Sequence, residues 1–564
     1  MRIKNYLPGA VAILMFTACH KQQTASPVAE KPTVTKTVKT LATSYPSYNT
    51  SPLSPDQTGV TSTAAQLAAK FQLGWNIGNT LEATGGETNW GNPVVSQALI
   101  DEVKRAGFTA VRIPCDWDQY SDQNTGQIQQ AWLNRVQQVV QYCVNDGLYV
   151  ILNIHWDDGW LENNCTTAAQ AAVNAKQKAF WEQIATQMRG FDEHVIFASA
   201  NEPAVSDATG MSVLLSYHQT FVNAVRSTGG HNSYRVLLLQ GPSTNIDYTN
   251  SLMNTLPTDP ASNRLMVEVH YYDPAQFCFL TSDASWGNMF YYWGSGYHST
   301  TDVSRNATWG EESYMTSEFA LMKSKFVDKG IPVILGEYAV NRRLVLTGDA
   351  LNLQLASRAY FLNFFVHNAL QAGLKPFYFD SGGTDTSNPG RIINRQTNGI
   401  YDYQGLAAIT QGAQNGTTST IQIGQVYEIF NRNSFKALEI GGWATANGSA
   451  ADQWDYLAGA NQQFMVQDAG NGYYRLTPQH ATGKCLEIYG WSGTNGGVAD
   501  LWDYVGGNNQ KWMIQPTDNG YYKIINVNSG KALDLYQLSL NNGGVVDQWD
   551  YNGGRNQQWG FVKP

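Results

Sequence analysis

Two glutamates stand where acidic side chains are unfavourable. Glu202 follows an apolar run in Phe197-Ala-Ser-Ala-Asn201-Glu202-Pro203, and Glu337 closes another in Val333-Ile-Leu-Gly336-Glu337-Tyr338. A carboxylate at the end of a segment that must be buried is unfavourable unless it is paired, hydrogen-bonded or usefully protonated. Hydrolysis of a glycosidic bond takes two such groups, one protonated to assist the leaving oxygen and one ionised to attack the anomeric carbon or activate water. Taken singly, each could equally be a rim glutamate in a salt bridge. His155 and His270, also at the polar ends of apolar runs, could likewise be hydrogen-bonded core histidines.

The elements that must position these groups are eight short, β-rich apolar runs at 74–79, 110–114, 149–155, 195–202, 235–241, 265–272, 332–338 and 375–380. Amphipathic stretches such as 129–145, 168–189 and 351–372 separate them, which reads as a βα repeat. Strands apolar along their whole length are buried on both faces. An open doubly wound sheet would satisfy that, as would a closed barrel. Several runs end in polar residues (Asn79, Arg112, His155, Asn201-Glu202, His270, Glu337, Asp380), and this favours the barrel, in which all strand C-termini open on one mouth. The predicted fold is therefore α/β, a (β/α)8 TIM barrel over 61–414, with Glu202 and Glu337 on the same rim.

Composition narrows the ligand. Charged residues are 14% of the 564 and apolar ones 43%, so the chain can bury sizeable cores. With 36 Lys+Arg against 45 Asp+Glu, a net charge of −9 and no long basic run, a phosphate backbone would be repelled, and nucleic acid is not expected as a partner. The 17 Trp and 30 Tyr offer flat faces with polar tips, which suit sugars. Trp90, Trp117, Trp160, Trp286 and Trp309 fall in βα loops, where each could be a sugar subsite or simply packed. The 273–311 connection is long and aromatic, as expected of a loop that walls a cleft.

The N-terminus carries Arg2 and Lys4, an apolar stretch from about Leu7 to Ala18, then Cys19, and reads as an export signal over 1–19 too short to span a bilayer. Residues 20–60, rich in Thr, Ser, Pro and Lys, read as a disordered tether. The remaining cysteines (Cys115, Cys143, Cys165, Cys278, Cys485) are odd in number and lack zinc-site spacing, so no pairing follows and neither metal nor cofactor is expected. Plain secretion and anchoring remain alternatives, and the protein is expected to act as a monomer outside the cytoplasm.

From 421 to 564 the chain repeats itself three times. The cores Lys436-Ala-Leu-Glu439-Ile, Lys484-Cys-Leu-Glu487-Ile and Lys531-Ala-Leu-Asp534-Leu are each followed by Asp452-Gln-Trp454-Asp-Tyr456, Asp500-Leu-Trp502-Asp-Tyr504 or Asp547-Gln-Trp549-Asp-Tyr551. Asn461-Gln-Gln-Phe464, Asn509-Gln-Lys-Trp512 and Asn556-Gln-Gln-Trp559 complete the copies. Each unit is too small for its own core, so the three should close into one all-β assembly.

Over most of 61–414 the sequence resembles glycoside hydrolase family 5, especially its endoglucanases. The residues that carry this are Gly74-Trp-Asn-Ile-Gly-Asn-Thr80, Val111-Arg112-Ile-Pro114, Leu152-Asn-Ile-His155-Trp156, Asn201-Glu202-Pro203, His270-Tyr-Tyr272 and Gly336-Glu337. The resemblance implies a retaining mechanism with Glu202 as acid/base and Glu337 as nucleophile. It also implies that Arg112 and Asn201 bond the nucleophile and the sugar 2-hydroxyl, while His155, His270 and Tyr272 line the site. Arg112 is then expected to lower the pKa of Glu337. The sequence departs from the family where Trp156 replaces a frequent histidine and Phe379 stands where a tryptophan usually lies under the sugar. The stretch Phe16-Thr17-Ala18-Cys19 resembles a bacterial lipobox, which implies a lipid on Cys19 and membrane attachment.

The 421–564 repeat resembles the ricin-type β-trefoil lectins, carbohydrate-binding module family 13. This implies three sugar sites: Glu439, Trp454, Asn461 and Gln462; Glu487, Trp502, Asn509 and Gln510; Asp534, Trp549, Asn556 and Gln557. The third keeps the family's usual Asp, whereas Phe464, Trp512 and Trp559 are expected in the core. Cys485 stands where the family often has a disulfide, but Tyr504 occupies the partner position, so no bridge is expected. Together these readings predict an endo-β-1,4-glucanase acting on plant cell-wall polysaccharide, with a glycan ligand on the trefoil. The alternatives are a mannanase, xyloglucanase or xylanase, or a surface glycan-binding protein without catalysis.

Overall fold

The computed structural model describes residues 42–383, 389–414 and 421–564; the export segment and Cys19 lie outside them. Eight parallel strands close into a barrel in sequence order: β1 (Gly74–Ile77), β2 (Ala110–Ile113), β3 (Tyr149–Asn153), β4 (Val195–Ala198), β5 (Leu237–Gln240), β6 (Leu265–His270), β7 (Val333–Tyr338) and β8 (Lys375–Asp380). β8 pairs back on β1, Asn76 opposite Phe379. Helices follow the strands, among them Gln97–Arg105, Gln130–Asn145, Gln170–Met188, Ala208–Ser227 and Gly348–Gln371; the start of the first is capped by Ser96 on Leu99 N and that of the fourth by Asp207 on Gly210 N.

Alternation along the strands builds the barrel interior in layers. Ala110, Ile151, Ile196, Leu238, Met266, Ile334 and Phe377 form an apolar cluster, which packs against Leu67 and Phe71 of the segment that precedes β1. Two residues further along β1, β2, β5 and β6 come the buried polar side chains Asn76, Arg112, Gln240 and Glu268. The opposite faces of the strands pack on the helices in the main core. Chemistry is therefore confined to the upper half of the barrel, because the lower half is filled.

Part of the predicted tether is not free. The buried Glu182 carboxylate accepts bonds from Ser47 Oγ and the backbone N of Tyr48 and Asn49, Leu53 N donates to Thr228 O, and Pro55 bridges Gly230. These partners repay the ordering of residues that composition alone marks as disordered. All five described cysteines are buried and free.

Twelve strands from Val426 to Val562 form the C-terminal domain, four per repeat. Phe464, Trp512 and Trp559 are fully buried at equivalent positions of its core. The domain lies against the barrel through Arg555, whose guanidinium sits 4.5 Å from the Tyr360 ring and 5.0 Å from that of Tyr297.

Candidate active site

At the strand C-termini, one oxygen of Glu202, one of Glu337 and a ring nitrogen of His270 lie within 4.8 Å of one another. Strand alternation alone would aim Gly336 inward after Ile334. The register shifts at Val269/His270, so that His270 pairs with Glu337 instead, and this irregularity puts the carboxylate in the mouth. Arg112 Nη1 donates to Glu337 Oε1 at 2.8 Å and Tyr272 OH to Oε2 at 2.9 Å. Arg112 also holds Asn201 Oδ1 (2.8 Å) and Asn76 Oδ1 (3.0 Å). His270 Nδ1 lies 2.7 Å from Glu202 Oε1 and 3.8 Å from Glu337 Oε2, and its Nε2 lies 3.1 Å from Glu268 Oε1.

The two acids differ in setting. Glu337 is 6% exposed, whereas a quarter of the Glu202 side chain reaches solvent. Burial pushes the Glu337 carboxyl above the usual glutamate range, and the charges of His270 and Arg112 pull against it. Arg112 does lower this pKa as expected, but burial is the larger effect and the net shift is upward. Burial disfavours charge on His270, but Glu337, Glu202 and Glu268 push it up to about 9, so the ring is an imidazolium at neutral pH. Burial, then the charges of Arg112 and His270, hold His155 well below its ordinary value and keep it neutral.

Other sequence-predicted residues divide. Phe379 is buried against the backbone of β1; a Cβ on Gly78 would come within 2.7 Å of its ring. Trp156 is half-buried in a loop where it, Asp157 and Asp158 all have positive φ, a conformation non-glycine residues adopt under local strain. Trp117 and Trp160 are core residues, their indole N–H groups bonded to Asn153 O and Asp157 Oδ2, so they are not subsites. Trp286 and Trp309 are exposed on the long 273–311 connection and remain candidates to meet a chain. Glu268, Asn76 and Gln240 were not singled out in the sequence. Glu268 had a signal, for it stands two residues before His270 and must share its face of the strand.

In the C-terminal domain each predicted acid is buried and each predicted tryptophan is partly exposed. Gln462 Nε2 donates to Glu439 Oε2 (2.9 Å), Gln510 to Glu487 Oε2 (2.7 Å), and Asn556 Nδ2 to Asp534 Oδ2 (2.8 Å). In every repeat the Asn-Gln pair faces the acid with neutral amide donors. Asn461 reaches Glu439 at 3.3 Å, Asn509 bonds Ile488 O, and Gln557 bonds Asp550 O. Trp454 and Trp549 are 39% and 38% exposed, and Trp502 is half-buried. Directly across the strand pair stand further acids that sequence reading passed over: Asp452 opposite Glu439, Asp500 opposite Glu487 and Asp547 opposite Asp534.

Comparison with known proteins agrees with this geometry. Residues 76–381 match the family described as cellulase (glycosyl hydrolase family 5), and 411–502 with 508–563 match the ricin-type β-trefoil lectin domain-like family. A xyloglucan-specific endo-β-1,4-glucanase of Bacteroides ovatus is 35% identical over 399 residues, 68% of this chain and 76% of that one. Endoglucanase A of Paenibacillus barcinonensis is 36% identical over 62% of this chain and 90% of its own. Among solved structures, a xyloglucan-specific β-1,4-glucanase from a ruminal metagenomic library, in complex with XXLG, superimposes with a TM-score of 0.59 at 41% identity, covering 63% of this chain and 97% of that one.

Proposed function

The chain belongs to glycosyl hydrolase family 5 and carries a ricin-type trefoil domain, and from that premise we propose that it is an endo-β-1,4-glucanase whose favoured substrate is xyloglucan. One observation carries the hydrolytic reading: two carboxyl groups face each other within 4.8 Å at the barrel mouth. That separation fits a retaining pair, for which about 5–5.5 Å between carboxyl groups is usual, and leaves no room for the water an inverting enzyme places between them. Relatives named for xyloglucan favour that substrate over an unbranched glucan, mannan or xylan.

In this reading Glu337, gripped by Arg112 and Tyr272, attacks the anomeric carbon while Glu202 gives its proton to the departing glycosidic oxygen. A glycosyl ester forms on Glu337. Glu202 then takes a proton from water, whose oxygen displaces Glu337 and restores both groups with net retention. Asn201, tied to Arg112, faces the sugar 2-hydroxyl. The exposed loop tryptophans Trp286 and Trp309 supply stacking faces, and the trefoil sites hold the polymer near the cleft.

The substrate is tested by reducing ends released from xyloglucan, mixed-linkage β-glucan, carboxymethyl cellulose, mannan and xylan. The reading requires the fastest release from xyloglucan and is discarded if only mannan or xylan yields product. Roles are tested with azide, which should give a β-glycosyl azide with Glu202→Ala and an α-glycosyl azide with Glu337→Ala; the opposite pairing reverses the assignment. We also propose that the protein is exported, carries lipid on Cys19 and acts as a monomer, supported by the Arg2/Lys4 and Phe16–Cys19 pattern for the first two. Fatty-acid labelling that survives Cys19→Ala would remove the anchor.

A further inference from the structure

We propose that Glu268 is a positioning residue of the hydrolytic site, one that fixes Arg112 and His270 and keeps both charged so that they face the two reacting carboxyls. The inference rests on the roles assigned above to Glu202 and Glu337. Glu268 is wholly buried one layer below the mouth and touches neither reacting group. Its Oε1 is shared between Arg112 Nε at 2.9 Å and His270 Nε2 at 3.1 Å, and its Oε2 accepts a bond from Gln240 Nε2 at 2.6 Å. The same two cations use their remaining nitrogens on Glu337, Asn201 and Glu202. One carboxylate therefore sets the orientation of both side chains that contact the pair.

Space is made for it. A Cβ at residue 336 would come within 1.9 Å of Glu268 Oε1, so Gly336, immediately before Glu337, is the residue that admits this carboxylate. Burial raises the Glu268 carboxyl, but Arg112, His270 and Gln240 more than offset it and hold it below its usual range, as a permanent anion. The groups facing His270 are Glu202, Glu268 and Glu337, with Arg112 and neutral His155 nearby.

The charge on His270 matters for proton economy. An imidazolium protonated on both nitrogens can only donate, so its Nδ1 steadies Glu202 without competing for the acid's proton. A neutral ring protonated on Nε2 would present a lone pair 2.7 Å from Glu202 and accept the proton meant for the glycosidic oxygen. Glu268 occupies the Nε2 side and favours the doubly protonated form.

The test is Glu268→Gln in the full chain, which keeps shape and removes charge. With soluble xyloglucan we expect kcat to fall about 10–100-fold, by analogy with the loss of groups that orient metal ligands, and KM to change little. The alkaline limb of the pH profile should move down by about one unit or more. In 15N-histidine NMR, with His270→Asn for assignment, wild-type His270 should titrate near 9 and that of Glu268→Gln nearer the ordinary ~6.5. Glu268→Asp, which restores charge, should recover part of both effects. An unchanged pH profile in folded Glu268→Gln, or wild-type His270 titrating near ~6.5, overturns the proposal. The wild-type titration decides even if the variant fails to fold. It also reads charge without catalysis, so failure of the Glu202/Glu337 assignment would appear only in the azide products.

Discussion

The barrel mouth and the trefoil both bury carboxylates beside aromatic rings, but they partner them differently. In the barrel, Glu337 and Glu268 contact the cations Arg112 and His270. In the trefoil, Glu439, Glu487 and Asp534 contact neutral amides on one side and a second acid across the strand. Cations offset part of what enclosure costs a carboxylate's charge, and the proposed nucleophile needs that charge. Amides with a second acid make the polar cup proposed to exchange hydrogen bonds with sugar hydroxyls, without the cations that would support an ionised nucleophile. The difference teaches that acid count does not separate a catalytic site from a binding site; the charge of the partners does.

The comparison breaks first at the proposed nucleophile. Glu337→Gln should lower hydrolysis of any β-glucan by about 10³-fold or more, since it removes the group that forms the intermediate. Retention of the same variant on insoluble polysaccharide should be unchanged. Hydrolysis near the wild-type rate would remove Glu337 from the chemistry. The complementary variant, Glu439→Gln, Glu487→Gln and Asp534→Asn together, should weaken retention on insoluble polysaccharide by about 10²-fold, because three weak sites act through avidity. Its kcat/KM on a short soluble oligosaccharide should stay at wild type; a fall would mean that the trefoil acids support the barrel directly. A smaller effect is expected for Tyr272→Phe, which removes one neutral bond to Glu337 and should cost about tenfold in kcat, read from initial rates.

Much of this division was legible in the sequence. All eight barrel strands and the three lobes follow from apolar runs and a repeat visible by eye, because burial imposes those patterns residue by residue. Within the tether expected over 20–60, the order of 47–56 could not be read from composition, since it comes from Glu182, Thr228 and Gly230, far along the chain. The irregularity that pairs His270 with Glu337 leaves no periodic mark either, and strand alternation alone would have turned Glu337 away. Trp117 and Trp160 show the converse limit: loop tryptophans look alike in sequence whether they meet sugar or core. The raised pKa of Glu337 depends on full enclosure, which the presence of Arg112 did not reveal.

The finest test lies in the acid pairs of the trefoil. Burial, and then the neighbouring Glu487, push Asp500 up to about 7; Asp452 and Asp547 are raised to about 7 in the same way. An unfolded aspartate titrates near ~3.9, so between these values the folded state binds more protons and its stability declines as pH rises through about 7. Asp500→Asn removes the charge that forms above that point. The variant should therefore melt higher than wild type at pH 8, by about 2–4 °C for each ~1 kcal/mol relieved, by a smaller margin at about pH 5, and nearly with it at about pH 3, where Asp500 is protonated in the folded and the unfolded state alike. No gap at pH 8, or an equal gap at every pH, would mean that folding does not raise the Asp500 carboxyl and that the trefoil acids ionise as freely as those held by cations in the barrel.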